Sequence, residues 1–282
     1  MKLRFSDRIG ATKVPDMLQT SGMSTALRNS LWNYLLGTIF SVKNHNRVDY
    51  AIEAICARHL KLPVDDLPSS WPYKVKWLRI IFFNDSFQWY QVYNLIEFIT
   101  ANCQHFMSTT ESFTFKSRIN EILEEEMSGY RFIGDVLSPI TSPEEIKSVS
   151  SAIEVADVRE LYGTKKHLEA AIVLISQKPT PDYRNSIKES ISAIESLAKQ
   201  LTGEAGGGLE KALSKLDSAV NFHGAFKAGL LSLYGYTSDE DGIRHAILEE
   251  RDVGFDEAKF MLVSCSALVN FMISKANKHS LL

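Results

Sequence analysis

"DYRNSIKESISAIESLAKQL", Asp182 to Leu201, decides the fold class. Ile187, Ile191, Ile194, Leu197 and Leu201 recur every three or four positions, a repeat that lines one face of a helix and cannot line one face of a strand. Ser, Lys, Glu, Gln and two alanines fill the positions between them, so the stretch reads as an amphipathic helix with one side in a core. Asp182 suits the cap, because its short carboxylate reaches first-turn amides that have no helical partner. The glycine-rich "TGEAGGG" that follows is a flexible connector: it lacks the Gly-Lys-Ser/Thr ending and the preceding strand of a phosphate loop.

The same period continues in both directions. Downstream, a shorter helix is expected at Leu209–Leu216, another from about Phe222 to Leu233, and a long one from Asp256 to about Lys275. Upstream, "YGTKKHLEAAIVLISQ" is helical and "KPTPDY" stops it, while Ser142, Pro143 and Glu145 mark a further helix start. Ser24–Phe40 places Leu27, Leu31, Tyr34, Leu35 and Ile39 on one face. Val48–Leu60, Tyr73–Phe83, Ser86–His105 and Phe115–Met127 follow, with Pro63, Pro68 and Pro72 breaking the chain between the first two. A small hairpin is expected where Tyr130–Phe132 and Val136–Ile140 flank Gly134-Asp135. The expected architecture is all-α: an N-terminal helical domain over 1–125, a short hairpin-containing junction over 126–178, and a C-terminal helical bundle over 179–282.

At 282 residues the chain is long enough for two cores. Its 31 basic and 34 acidic residues leave a net charge of -3, without the clustered cations of a protein that coats nucleic acid, so any RNA contact must be local. Cys56, Cys103 and Cys265 are too few for a disulfide framework, which fits a reducing, cytoplasmic compartment. "MKLRFSDRIGATK" has no apolar core of signal-peptide length. "AKFMLVSCSALVNFMI", Ala258–Ile273, carries Lys259, two serines and Asn270, falls short of about 20 apolar residues, and reads as a buried helix; no membrane partner is expected.

Several ordered motifs resemble known families. "DYRNSIKESISAIESLAKQL", "GLEKALSKL", "GYTSDEDGIRHA" and "FDEAKFMLVSCSALVNFMISK" resemble the HEPN superfamily of helical bundles found at the C-termini of abortive-infection proteins. "RFSDRIG", "STALRNSLWNYLL" and "EEEMSGYRFIGDVLSPITSPEEI" are similar to the AbiJ-type N-terminal domain and its junction with HEPN. The resemblance implies antiphage or toxin-like biology: a homodimer joined through the HEPN bundle, cleaving RNA, tRNA included, to cyclic phosphate ends without metal or other cofactor, under the control of a phage-derived or regulatory protein trigger.

The catalytic pair so implied is Arg244 and His245. Family members carry Arg and His about one helical turn apart, whereas these are adjacent, and neighbours on a regular helix point about 100° apart. Joint action on one phosphate therefore requires irregular backbone, which Gly242 permits. At a helix start near Asp241 the free amides and the dipole favour an anion; Arg244 would stabilise charge developing on the phosphate and His245 would shuttle the proton. The alternative is structural: Arg244 pairs with Glu189, Glu195 or Asp241, and His245 caps the dimer seam. The adjacent spacing also leaves open a catalytically inactive module that dimerises and binds RNA or protein.

Supporting candidates carry the same two readings. Arg184, Asn185 and Glu195 line a groove opposite Arg244, or form the solvated side of an amphipathic helix. His223 faces the same groove, or is a helix-end histidine. Cys56 with His59 and Cys103 with His105 have poor spacing for zinc, and no metal is expected. Trp71, Trp77 and Trp89 with Phe82, Phe83 and Phe87 read as core, with partner or nucleic-acid sensing as the minority reading. Phe260, Met261, Leu262, Val263, Leu268, Val269, Phe271 and Met272 give the last helix more apolar surface than one side of a bundle needs, which points to a partner chain.

Overall fold

The computed structural model describes residues 18–41, 45–177, 180–203, 209–220, 222–238 and 253–281. Among these, secondary structure is helical apart from one two-stranded hairpin and a single isolated bridge, so the chain is all-α as the periodicity requires. Chain contacts divide it into two units, 1–139 and 140–282.

Among the described residues the first unit opens with α1 (Thr25–Thr38), capped by Ser24, whose Oγ accepts from the Leu27 amide at 3.1 Å. Then come α2 (His45–Ala54), α3 (Trp71–Phe82), α4 (Trp89–Ala101), the short α5 (Cys103–Phe106) and α6 (Thr109–Glu125). Leu27, Leu31 and Leu35 are fully buried at the three- and four-residue spacing that defined α1, and meet Leu78, Phe82, Ile96, Phe115 and Ile119. Each such side chain contributes about 1.5–3 kcal/mol through removal from water. Arg28 ties α1 to the end of α3, its guanidinium donating to the carbonyls of Phe82 (3.3 Å) and Phe87 (2.8 Å). Lys74, only 8% exposed, reaches Asp49 (3.0 Å) and Glu53 (2.8 Å), cross-linking α3 to α2.

The hairpin pairs β1 (Arg131–Ile133) with β2 (Val136–Ser138) around Gly134-Asp135, and Gly134 takes the φ of +61° that this two-residue turn demands. Two strands alone leave both outer edges unpaired. Here side chains close them: Asn120 of α6 accepts from the Phe132 amide (2.7 Å) and donates to its carbonyl (3.1 Å), and Glu97 of α4 accepts from the Leu137 amide (2.7 Å). The hairpin thereby joins the first unit's core.

The second unit contains α7 (Pro143–Val158), α8 (Tyr162–Ser176), α9 (Tyr183–Thr202), α10 (Leu209–Val220), α11 (Gly224–Ser238) and α12 (Phe255–Lys278). The Ile/Leu stripe that opened the sequence reading makes α9 the central helix, packed on α8, α12, α10 and α11. Asp182 caps it as expected, accepting from the Asn185 amide at 3.0 Å, and Gly203 closes it at φ +75°. The segment read as a junction over 126–178 is shared between the units: the hairpin goes with the first and α7 and α8 with the second. The reason is that α8 and α9 pack against one another antiparallel. Asp182 N donates to Leu174 O (3.1 Å), Ser186 Oγ to Ala171 O (2.8 Å), and α8 runs back along α9 so closely that a Cβ at Gly163 would overlap Ser196 Oγ.

α12 buries Met261, Leu262, Cys265, Val269, Met272 and Ile273, and Asn270 donates to Ser148 O of α7 at 2.9 Å. The sequence count placed this stretch short of a membrane span; at 24 residues the helix is long and apolar enough by length and composition, the one such helix among the described residues, with half of its most apolar window buried. Of its surplus apolar side chains, Phe271 packs on Phe222 (5.7 Å) and Phe226 (5.5 Å) of the same chain, while Phe260 remains 57% exposed.

Candidate functional site

Arg244, His245 and Asp241 lie outside the described residues. Their supporting candidates are described. Arg184 and Glu195, both half-buried, are eleven residues apart on α9, which brings them within about 20° of one another around the axis and separates them by about 16 Å along it. They mark two ends of one face. Asn185 points about 100° away from that face; its side-chain amide donates to Asp182 Oδ2 at 2.7 Å, so it belongs to the cap. His223 stands just before α11, where its carbonyl accepts from the Phe226 amide (2.9 Å) and its Nδ1 from the Ala225 amide (3.3 Å).

Beside Glu195, Ile191 and Ile194 meet Leu209, Leu230, Met261 and Cys265 in a seam with a cavity of only about 10 Å³, too small for more than one water.

The described part of the unit contains one polar constellation that sequence reading missed. His167 of α8 and Glu189 of α9 meet at 2.6 Å through Nδ1 and Oε2, both partly buried. A carboxylate on Nδ1 fixes the orientation of the ring and leaves Nε2 as its second proton-handling atom. The two are 22 positions apart, and only the antiparallel register of α8 and α9 joins them; local spacing carried no signal. Glu189, weighed above as a partner for Arg244, has His167 as its neighbour.

The thiols do not supply a nucleophile. Burial pushes the pKa values of all three up, that of Cys265 to about 12, and at neutral pH the thiol form dominates. Cys56 donates weakly to the carbonyls of Leu62 and Pro63 at 3.5 Å, and the His59 ring lies tilted against Phe98 at 5.1 Å, its pKa lowered by burial and then by Lys61. No group of three or more His, Cys, Asp or Glu side chains converges as a metal site among the described residues.

In the first unit the aromatic concentration is mostly core: Phe82 is fully buried, Phe87 nearly so, and Trp71, Trp77, Trp89 and Phe83 pack against that core from partly buried positions. Tyr93 shares a 2.7 Å hydrogen bond with Ser128, and burial pushes its phenol up to about 12. Arg131, 5% exposed, donates to the Ser128 and Tyr130 carbonyls at 2.8 Å, and burial lowers its pKa. These groups staple the chain entering the hairpin and leave no reactive atom displayed.

No curated protein and no solved structure matches the chain. The family comparison does: AbiJ N-terminal domain 4 matches residues 3–155, more than half of the sequence, running through the first unit and almost to the end of α7. This chain belongs to the AbiJ N-terminal domain 4 family.

Proposed function

We propose that the chain is an abortive-infection protein whose C-terminal bundle acts as a HEPN-type, metal-independent endoribonuclease in dimeric form. Family membership supports the abortive-infection role, and it is the observation that carries the reading. The finer assignment draws on the order of the HEPN-like motifs from Asp182 to Lys275 and on the chemistry of Arg244 and His245. His245 takes the proton of an RNA 2′-hydroxyl; the 2′-oxygen bonds to phosphorus as the bond to the 5′-oxygen breaks, and that oxygen receives a proton. Arg244 stabilises charge on the phosphate during the exchange. The products are a 2′,3′-cyclic phosphate and a 5′-hydroxyl. Arg184 and Glu195, on one face of α9, are the supporting groups.

A second reading is favoured by the adjacent spacing of Arg244 and His245: an inactive HEPN bundle that dimerises and binds RNA or protein. One experiment separates them. Purified protein is incubated with total RNA and a tRNA pool in EDTA, with His245→Ala alongside, and product ends are analysed. Cleavage to cyclic phosphates that disappears in the variant supports the enzyme. Equal cleavage by both proteins refutes the role of His245, and absence of cleavage, with an RNA or protein complex formed, selects the binding module.

A further inference from the structure

Among the described residues, the first unit exposes an apolar stripe on α3 whose middle residue, Trp77, is half-buried against the core and whose ends stand open. α3 turns Lys74, Val75, Leu78 and Phe82 inward. Its opposite face carries Tyr73, Trp77 and Ile80, at positions i, i+4 and i+7, within about 60° of one another around the axis. Tyr73 is 64% and Ile80 59% exposed, among the most open large apolar side chains of the described residues, and Trp77 is half-buried between them. Isolated exposed apolar residues are ordinary, but Tyr73 and Ile80 with the outer edge of Trp77 between them make a continuous apolar ridge, and Tyr and Trp are the side chains that anchor interfaces.

The flank of this stripe is basic. Lys76 and Arg79 follow it on one side, and among the described residues no carboxylate pairs with either; Arg79 lies over the Phe83 ring at 5.1 Å. The third cation of the helix, Lys74, turns inward to Asp49 and Glu53 and ties α3 to α2. Two cations beside an apolar ridge are too few to neutralise a run of phosphates. They complement an acidic amphipathic helix, whose apolar residues at i, i+3 and i+4 would lie on the ridge with carboxylates over Lys76 and Arg79.

We propose that the Tyr73–Trp77–Ile80 face of α3 is a docking site for an acidic amphipathic helical segment of a partner protein. The site is independent of the ribonuclease reading, because it rests on the first unit alone. The test pans a phage-displayed library of random 14-residue peptides on the immobilised full chain, then measures the enriched peptides by fluorescence anisotropy against wild type, Ile80→Glu and Lys76→Glu/Arg79→Glu. All three proteins are first matched by circular dichroism. The expected winners are net acidic with apolar residues at helical spacing, bind at least about tenfold more weakly to both variants, and regain affinity for the charge-reversed face when their acids are changed to Lys. Neutral or basic winners, no enrichment, or binding indifferent to both variants overturns the proposal. So do a wild-type dimer on size exclusion that Ile80→Glu converts to monomer, and an oligouridine that binds wild type and is lost with Lys76→Glu/Arg79→Glu while the peptides are not.

Discussion

Replacing Lys74 with Met keeps most of the side-chain stem and removes the ammonium that joins α3 to α2. In the native protein that ammonium lies 3.0 Å from Asp49 and 2.8 Å from Glu53, and the two carboxylates stand one turn apart on α2. Without it they repel one another across that turn. Breaking a buried ion pair by removing one partner costs about 3–5 kcal/mol. The Lys74 side chain is only 10% exposed, but those of Asp49 and Glu53 are 36% and 46% exposed, so water screens the orphaned charges and about 1–2 kcal/mol is expected. For a unit of this size that lowers the melting temperature by about 3–8 °C. Burial alone would lower the Lys74 pKa, but the Glu53 and Asp49 hydrogen bonds outweigh it, and the net shift is upward from 10.5. A folded pKa above the unfolded one means stability fully present below the unfolded value and lost as pH rises through the folded value. The difference between wild type and Lys74→Met, followed by circular dichroism melts, is therefore constant from neutral pH to about 10 and shrinks above it. A drop below 1 °C by this assay, or a Lys74→Met penalty that persists undiminished in an Asp49→Asn/Glu53→Gln background, refutes the argument.

Leu197 is fully buried on α9, and Leu197→Ala is expected to cost about 2–4 kcal/mol in urea unfolding of the second unit; a loss below 1 kcal/mol would show that α9 is not its central helix. The three thiols should be silent to a disulfide reagent such as DTNB at pH 8 in the native protein and all react once it is unfolded, since burial shields them and raises their pKa values; one thiol reacting within seconds in the native state contradicts their placement.

Much of the helical architecture was legible because local causes produce it. Ser24, Ser142 and Asp182 cap the helices they precede with side-chain acceptors, a property of residue type and position alone. Gly134-Asp135 formed the expected turn, although the strands themselves sit within one or two residues of the expected bounds. The start of α6 is earlier than apolar periodicity indicated, at Thr109, because Ser108 and Glu111 form a capping box that stands ahead of the buried Phe115. Two interruptions were not legible. The helix through Val48–Leu60 widens into a π-helical turn at Ile55–Leu60 and ends on Lys61 at φ +57°, and the helix through Ser86–His105 breaks at Asn102. Both depend on how the chain packs on its neighbours, which leaves no trace in spacing.

The candidate site divides in the same way. Arg184 and Glu195 share a face of α9 because eleven residues are close to three turns, which arithmetic on the sequence suffices to show. That Asn185 serves the cap through Asp182 also follows from adjacency. His167 and Glu189 meet only because α8 folds back on α9, and the prolines of "KPTPDY", which say that a helix stops, say nothing about whether the next one returns along it.

Periodicity, caps and turn residues thus determined from sequence alone that the chain is helical, where most helices begin, and which faces turn inward, because those properties arise from interactions within one or two turns of the backbone. Only the tertiary structure decided that 126–178 is divided between two cores, that Asn120 and Glu97 close the hairpin edges, and that the Tyr73–Trp77–Ile80 face stays outside while Lys74 goes in. Those outcomes depend on contacts between residues distant in sequence, whose free energy is set by what each face meets after the chain has folded.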